Sequence, residues 1–472
     1  MNRIDILIRG GRVVSADATI EASIAIKGEH IVAIGDEALM PPAAQVIDAT
    51  GKYVIPGAID SHVHFRTPGY EYKEDWHTGT GAAALGGVTT VFEMPNTNPP
   101  TGTVAAFEQK LAIASRDAHV DFGIYALLAE NNIDQLADLA AAGAASFKCF
   151  MGNTFGNLPA PSDGAMLEGF EILAGLGLRC TVHAENASIM ARRQSKLEAA
   201  GRVDPLAHLA ARPAIAAMEA VSRATLFADW TGARLHIAHK SSSDGLYFVR
   251  DAKRRGVDVT VETCPQYLLM TSEQMKTMHG LAKVNPPIRE PGHDVALWAA
   301  LHDGTIDMIA TDHAPHAIEE KRRDTIWNCE CGFPGVQTQM ALMLTQVVRG
   351  RLTINDYVKW ACVNPARAWG LYPHKGVLQP GADADIVLVD MALEREIRDE
   401  SLFSKSKISP WHGWRTSAGP VLTMVRGKVV AKDGELVGER GWGRSIKASQ
   451  VMPAAHPRHV EHSTAAIVND RP

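Results

Sequence analysis

Residues 53–66 read YVIPGAIDSHVHFR, a run in which buried-strand chemistry ends in two histidines. Val54, Ile55, Ala58 and Ile59 are core-type residues, Pro56-Gly57 punctuates the entry, and residues i and i+2 of a strand share a face. His62 and His64 therefore point the same way from the C-terminal end of one buried strand. Neutral imidazole is the commonest side-chain ligand for zinc-like ions, so the pair makes half a metal site. A His-x-His alone is more often a surface or satisfied core feature. The apolar flank and Asp60, close enough to steady a ligand, favour metal here, and other parts of the chain must supply the remaining ligands.

Outward from this stretch, strands alternate with Ala/Leu-rich helical segments, the signature of βα units repeated around a parallel sheet. Candidate strands are VIPGAID, VTTVFEMP, VDFGIYALL, ASFKCFM, LRCTVHAEN, RLHIAHK, VDVTVETCP and IDMIATDHAP. Eight strands imply closure, and the predicted fold class is α/β, a (β/α)8 TIM-type barrel. GVQTQMALMLTQVVRG and TINDYVKWACVNPARAWG would finish its outer layer of helices. Short alternating runs near the start (IDILIRGGRVVSAD, EASIAIKGEHIVAIG) return near the end (DADIVLVDM, VLTMVRGKVVAKDGELV), so the two ends are expected to form one small composite β-sandwich. The predicted division is residues 1–55 and 373–444 for the sandwich, 56–372 for the barrel and 445–472 for a solvated tail.

With 472 residues the chain suits a barrel of about 250 residues plus a second module. It is 46% apolar and 21% charged, and its net charge of -6 gives no electrostatic footprint for nucleic acid or an anionic membrane. Small molecules are the expected partners. Met1 to Gly10 lacks the apolar core of a secretory leader, and no apolar run approaches the roughly 20 residues of a membrane span. Four of the six cysteines (Cys149, Cys180, Cys264, Cys362) lie in apolar contexts as reduced core thiols would. A cytoplasmic location is expected.

Ligand-type residues recur at the ends of the candidate strands, where barrel enzymes place their active sites. The first strand ends in His62 and His64, the fourth carries Lys148, the fifth His183, the sixth His239 and the eighth Asp312. Lys148 stands in the otherwise core-like run ASFKCFM, where an ammonium is costly unless it snorkels or pairs with a carboxylate. A desolvated lysine can instead lose its proton and take up carbon dioxide as a carbamate, turning a cation into an anionic bridge. The inventory then fits a two-metal hydrolase, with His62, His64 and Asp312 on one divalent ion, His183 and His239 on the other, and N6-carboxylated Lys148 shared. Such a pair can hold a hydroxide between its ions and polarise the carbonyl under attack, with Asp312 as the catalytic proton carrier. Zn2+ suits these ligands, while manganese, cobalt and iron stay open. Cys329-x-Cys331, without a partner pair, reads as part of a packed or substrate-shaping loop.

The set DSHVHF, SFKCFM, TVHAEN, HIAHKSS and ATDHAPH resembles the cyclic-amide hydrolase branch of the amidohydrolase superfamily, which includes dihydroorotases, allantoinases and hydantoinases. The resemblance runs to about Gly434. It implies the metal-capped barrel, the composite terminal sandwich, the lysine carbamate, opening of a ring amide C–N bond and a homo-oligomer, dimer or tetramer. HFRTPGYEYKEDWHTGT and VTTVFEMPNTNPP are similar to dihydroorotases, which implies that Arg66 and Asn96 hold a substrate carboxylate. Asn285 in KVNPPIR and His316 in DHAPH point the same way. FKCFMGN is closer to allantoinases and hydantoinases, and GFPGVQT carries Gln337 where dihydroorotases usually have an acidic residue, whereas allantoinases typically lack the asparagine matching Asn96. Dihydroorotase is the expectation, with allantoinase or hydantoinase/dihydropyrimidinase as the alternative. A non-catalytic scaffold of this fold would lack a ligand, and this chain lacks none.

Overall fold

The computed structural model describes residues 3–156 and 158–447. Five strands open the chain: β1 (Ile4–Val14), β2 (Thr19–Lys27), β3 (His30–Gly35), β4 (Ala43–Asp48) and β5 (Tyr53–Pro56). Eight more build the barrel: β6 (Ala58–Val63), β7 (Val88–Glu93), β8 (Asp121–Leu128), β9 (Ser146–Phe150), β10 (Arg179–His183), β11 (Arg234–Ile237), β12 (Val259–Thr263) and β13 (Met308–Ile309). The chain closes with β14 (Ile386–Asp390), the two-residue ribbon β15 (Arg395–Glu396) and β16 (Arg415–Thr416), then β17 (Gly419–Val425), β18 (Lys428–Lys432), β19 (Glu435–Leu436) and β20 (Ser445–Ile446).

Strands β6 to β13 pair in sequence order, each parallel to the next. A parallel bridge between Val63 and His313, with the His64 N–H donating to His313 O at 2.7 Å, joins the last strand to the first. This is the barrel expected from the alternation of strands and helices. Its helices start where side-chain caps stand. Asp75 closes a capping box with Thr78 at Trp76–Leu85, and Ser162 and Asn186 cap Asp163–Leu176 and Ala187–Ala199. Gly79 lets the first of these helices lie on Phe65, since a Cβ there would come within 2.2 Å of that ring. The foot is plugged by Trp369, packed 5.3 Å from Phe92 and 4.9 Å from His236 between ring centroids.

The opening stretch is two strands rather than one. Tyr53–Pro56 belongs to the terminal sheet and Ala58–Val63 to the barrel, with Gly57 between them. The break has a steric cause: a Cβ on Gly57 would fall 2.1 Å from the Thr89 hydroxyl, and the Gly57 N–H is spent on Asp385 O at 2.9 Å. The terminal strands form one hydrogen-bonded sheet in the order β19-β18-β17-β14-β5-β1-β2-β3, with β4 on β1. β1 serves two neighbours because it is long. Ile4 to Arg9 pair with β4, and after a bulge between Ile8 and Gly11, Arg12 and Val13 pair with β5. Ile8, Ile24, Ile26, Val54, Ile386 and Met424 make its separate core.

Past residue 444, where the sequence suggests a tail, Ser445 and Ile446 lie parallel to Phe122 and Gly123 of β8. The histidine-bearing run of the expected tail is outside the described residues. Among the described residues no helix is long and apolar enough to cross a membrane.

Candidate metal centre

His62 ends within β6, Lys148 sits in the middle of β9 and His183 is the last residue of β10. His64, His239 and Asp312 lie one, two and three residues beyond their strands, so the eighth strand is shorter than the sequence suggests. His239 and Asp312 take φ of 36° and 50°, and Arg66 takes 63°. Residues with side chains rarely adopt this region, and such outliers cluster where a structure aims side chains at a site.

The six side chains converge on one buried mouth that Arg66, Asn96, Phe155, Asn285 and Cys331 also line. The His62 ring centroid is 5.3 Å from that of His64 and 5.0 Å from that of His239, which is 4.7 Å from His183. Hydrogen bonding fixes the tautomers. His62 Nδ1 donates to Glu262 Oε1 (2.5 Å) and His64 Nδ1 to Asn96 Oδ1 (2.7 Å), leaving both Nε2 atoms as lone pairs. Those lone pairs face Asp312 Oδ1 at 3.4 and 3.1 Å. Acceptors this close need a proton or a metal cation between them. In the other half, His183 Nε2 donates to Glu185 Oε2 (2.9 Å), and its bare Nδ1 faces His239 Nε2 at 2.9 Å.

Lys148 Nζ, fully buried between the halves, has no hydrogen-bond partner. Burial pushes its pKa down to about 8. Burial, followed by the nearby Lys148 charge, takes His62 down to about 4, and burial holds His64 and His239 well below the usual imidazole range. Neutral imidazoles are what a metal requires. Burial also raises the Asp312 carboxyl. The donor set thus fits divalent cations: His62, His64 and Asp312 in one half, His183 and His239 in the other, Lys148 between them.

Asp121, Asp383 and Asp385 form a second group of metal-ligand type, at the foot of the barrel. There the Lys375 ammonium already lies 2.6, 3.0 and 2.7 Å from the three carboxylates.

The residues expected to bind substrate divide. Arg66 NH1 and Asn285 Oδ1 are unpartnered and line the mouth. Asn96 lines it too, but its oxygen is committed to His64 and its Nδ2 donates to Phe155 O at 3.4 Å. His316 stands behind Arg66, with Nε2 3.0 Å from Arg66 NH2 and Nδ1 3.0 Å from Lys73 Nζ. Gln337 is away from the mouth. Its amide clamps a neighbouring segment, donating to Ser401 O (3.1 Å) and accepting from Phe403 N (2.7 Å), a two-way bond that a carboxylate cannot make. Cys331 lines the mouth while Cys329 Sγ packs on Thr325 O at 3.4 Å, and neither joins a metal-type group among the described residues.

Two buried glutamates escaped the sequence reading. Glu262 of β12 gathers donors from His62, Ser61 and the His239 backbone. Burial opposes its charge, but His62 and His236 hold the carboxyl well below its ordinary value. Glu185 is likewise kept at about 2 against burial by Arg212 and His183. The signal was available: Glu262 interrupts VTVET as Lys148 interrupts SFKCF.

Residues 53–430 match the amidohydrolase family. A solved structure of L-hydantoinase (dihydropyrimidinase) from Arthrobacter aurescens superposes with a TM-score of 0.92 at 36% identity, covering 94% of this chain and all of that one. An allantoinase of Rubrobacter xylanophilus is 37% identical over 440 residues, 93% of this chain and 96% of its own length. A dihydroorotase of Methanothermobacter thermautotrophicus is 37% identical over 406 residues, 86% of this chain and 90% of its own. Fold, strand-end histidines and near full-length similarity agree: the chain belongs to the amidohydrolase family.

Proposed function

We propose that the protein is a metal-dependent hydrolase that opens a ring amide C–N bond in a cyclic ureide of the hydantoin or allantoin type. The observation that carries this reading is the pair of Nε2 lone pairs turned on Asp312 Oδ1, beside a buried lysine nitrogen without a partner. The relatives with hydantoinase and allantoinase names move the reading away from the dihydroorotase expected from HFRTPG and MPNT. Asn96 supports the move, because one of the two N–H groups that could serve a carboxylate is already directed at Phe155 O.

His62, His64 and Asp312 would hold one divalent ion, zinc by ligand type, and His183 and His239 the other. The Lys148 amine, once deprotonated, would form an N–C bond to carbon dioxide and release a proton, giving a carbamate that both halves could share. Divalent ions held there would supply an acidified water and a polarised ring carbonyl. Asp312 takes the proton of the attacking water and delivers it to the ring nitrogen as that bond breaks. Asn285 Oδ1 accepts a ring N–H, and Arg66 NH1 donates to a ring carbonyl. The partner is thus a small cyclic amide. Nothing in the charge pattern recruits nucleic acid or membrane, and the enzyme is read as a cytoplasmic homo-oligomer.

Dihydroorotase is the second reading, and Arg66 favours it, because a buried guanidinium with a free N–H suits a carboxylate. Turnover of allantoin, hydantoin, dihydrouracil and dihydroorotate by protein reconstituted with metal and bicarbonate decides between them. Preference for a neutral ring supports the proposal, preference for dihydroorotate overturns it in favour of the second reading, and no turnover of any ring removes both.

A further inference from the structure

Glu262 lies beneath the mouth, fully buried, with three hydrogen-bond donors and a fourth group, the His236 imidazole, gathered on one carboxylate. Oε1 accepts both the His62 Nδ1–H (2.5 Å) and the His239 backbone N–H (3.1 Å). Oε2 accepts the Ser61 hydroxyl (2.7 Å) and lies 3.0 Å from His236 Nε2. His62 and His239 belong to opposite halves of the centre. Each of the other bracing groups serves a single half: Asn96 holds His64, and Glu185 holds His183.

We infer that Glu262 is a positioning residue that couples the two halves of the metal centre, so that loss of its charge weakens the hold on both ions although it touches neither. Two physical effects act through it. A carboxylate on His62 Nδ1 fixes the tautomer and orientation of the ring and raises the basicity of its Nε2. The bond to the His239 N–H holds that residue at φ 36°, a conformation it would otherwise leave, and so keeps its ring turned to His183. A single oxygen performs both tasks, so a shift that relaxes one ligand relaxes the other. Ser61 and His236 fix the carboxylate from its far side and keep that oxygen in place.

The inference rests on the two-ion reading above, and the test separates the two. Metal-stripped protein is titrated with Co2+ in the presence of bicarbonate, following ligand-field absorbance and competition with a chelating dye. Wild-type protein takes up two ions per chain. Glu262→Gln keeps the size of the side chain and is expected to weaken both ions by roughly 10- to 100-fold, the usual range for losing a partner of a metal-bound histidine, with an altered Co2+ spectrum. Melting of the metal-free forms is the control: a purely structural Glu262 lowers the melting temperature and leaves the affinities alone, which overturns the coupling. Weakening of one ion only also overturns it, because Glu262 is then a brace for one half. If wild-type protein takes up fewer than two ions, the two-ion reading fails and the coupling with it. Should Glu262→Gln fail to fold, Ser61→Ala carries the test. A loss of a few-fold at both ions supports the coupling, and wild-type affinity at either overturns it.

Discussion

At the foot of the barrel Lys375 is set among Asp121, Asp385 and Asp383 at 2.6, 2.7 and 3.0 Å, and Arg426 pairs with Asp121 at 3.0 Å and Glu29 at 3.3 Å. At the mouth Lys148 has no hydrogen-bond partner, while two imidazole lone pairs face a carboxylate oxygen. Both clusters centre on a buried lysine, Lys375 before β14 at one end of the barrel and Lys148 on β9 at the other. The foot is electrostatically complete: burial works against the Lys375 charge, yet three carboxylates hold its pKa well above the ordinary value. The mouth is complete only when something positive joins it. An enzyme of this fold can therefore carry its stability in one cluster and its chemistry in the other.

The comparison can be broken most severely at the mouth. Lys148→Ala removes the shared ligand and is expected to abolish two-ion loading and turnover, with partial recovery when short carboxylic acids are added. Metal analysis and activity with and without acetate check it, and full loading without the acid would contradict it. Its counterpart at the foot, Lys375→Ala, leaves buried carboxylates uncompensated and is expected to cost on the order of 3–5 kcal/mol of stability. Denaturant melts read this loss, while the ion content of the protein that remains folded stays at the wild-type level. If the foot lysine also controls ion content, the two clusters are not independent.

Smaller perturbations sharpen the contrast. Asp312→Asn preserves the shape of the side chain but cannot carry the proton, so turnover falls about 100-fold or more, as measured by kcat on the best substrate. Near-normal kcat would remove Asp312 from the proton path. Arg66→Ala should lower kcat/KM on dihydroorotate by about ten- to a hundredfold, the scale of one charge-assisted bond of roughly 1.5–3 kcal/mol, and affect a neutral hydantoin less. Equal losses on both rings would give Arg66 a role in the fold of the mouth. The smallest effect is a pH dependence. With the Lys148 amine titrating at about 8, its reactive neutral fraction grows about tenfold per pH unit below that value. Reconstitution of metal-free protein at fixed dissolved carbon dioxide should therefore be about tenfold slower at pH 6.5 than at 7.5. A flat profile would detach the carbamate from this titration.

Most of the site could be read in the sequence because period-two geometry sends strand-end residues to one place. His62, Lys148, His183 and their partners needed only the assumption of a barrel. Asp312 shows where that logic thins: its strand ends at Ile309, and the residue reaches the mouth through a left-handed turn that no periodicity announces. Asn96 shows another limit. Its place beside the mouth is legible, but that its oxygen belongs to His64 is a matter of side-chain direction. Glu262 was legible in principle, as a charge in an apolar strand, but the groups around it come from β6 and from β11 with the turn after it, and only the closed barrel assembles them. In the terminal sheet the alternation announced strands, while the bulge that lets β1 serve two neighbours depends on register.

The pairing of β5 with β14 has a consequence for how the chain is made. Val54 and Ile55 bond opposite Leu388 and Val387, so more than three hundred residues, the whole barrel among them, are synthesised between the two partners. At about 5–20 residues per second a ribosome needs on the order of tens of seconds to cover that distance. Throughout that interval Val54 and Ile55, fully buried in the finished sheet, have β1 on one side and no β14 on the other. The barrel strands β6 to β13 are all synthesised before β14, so the sheet that holds the two ends together cannot be completed until they have emerged.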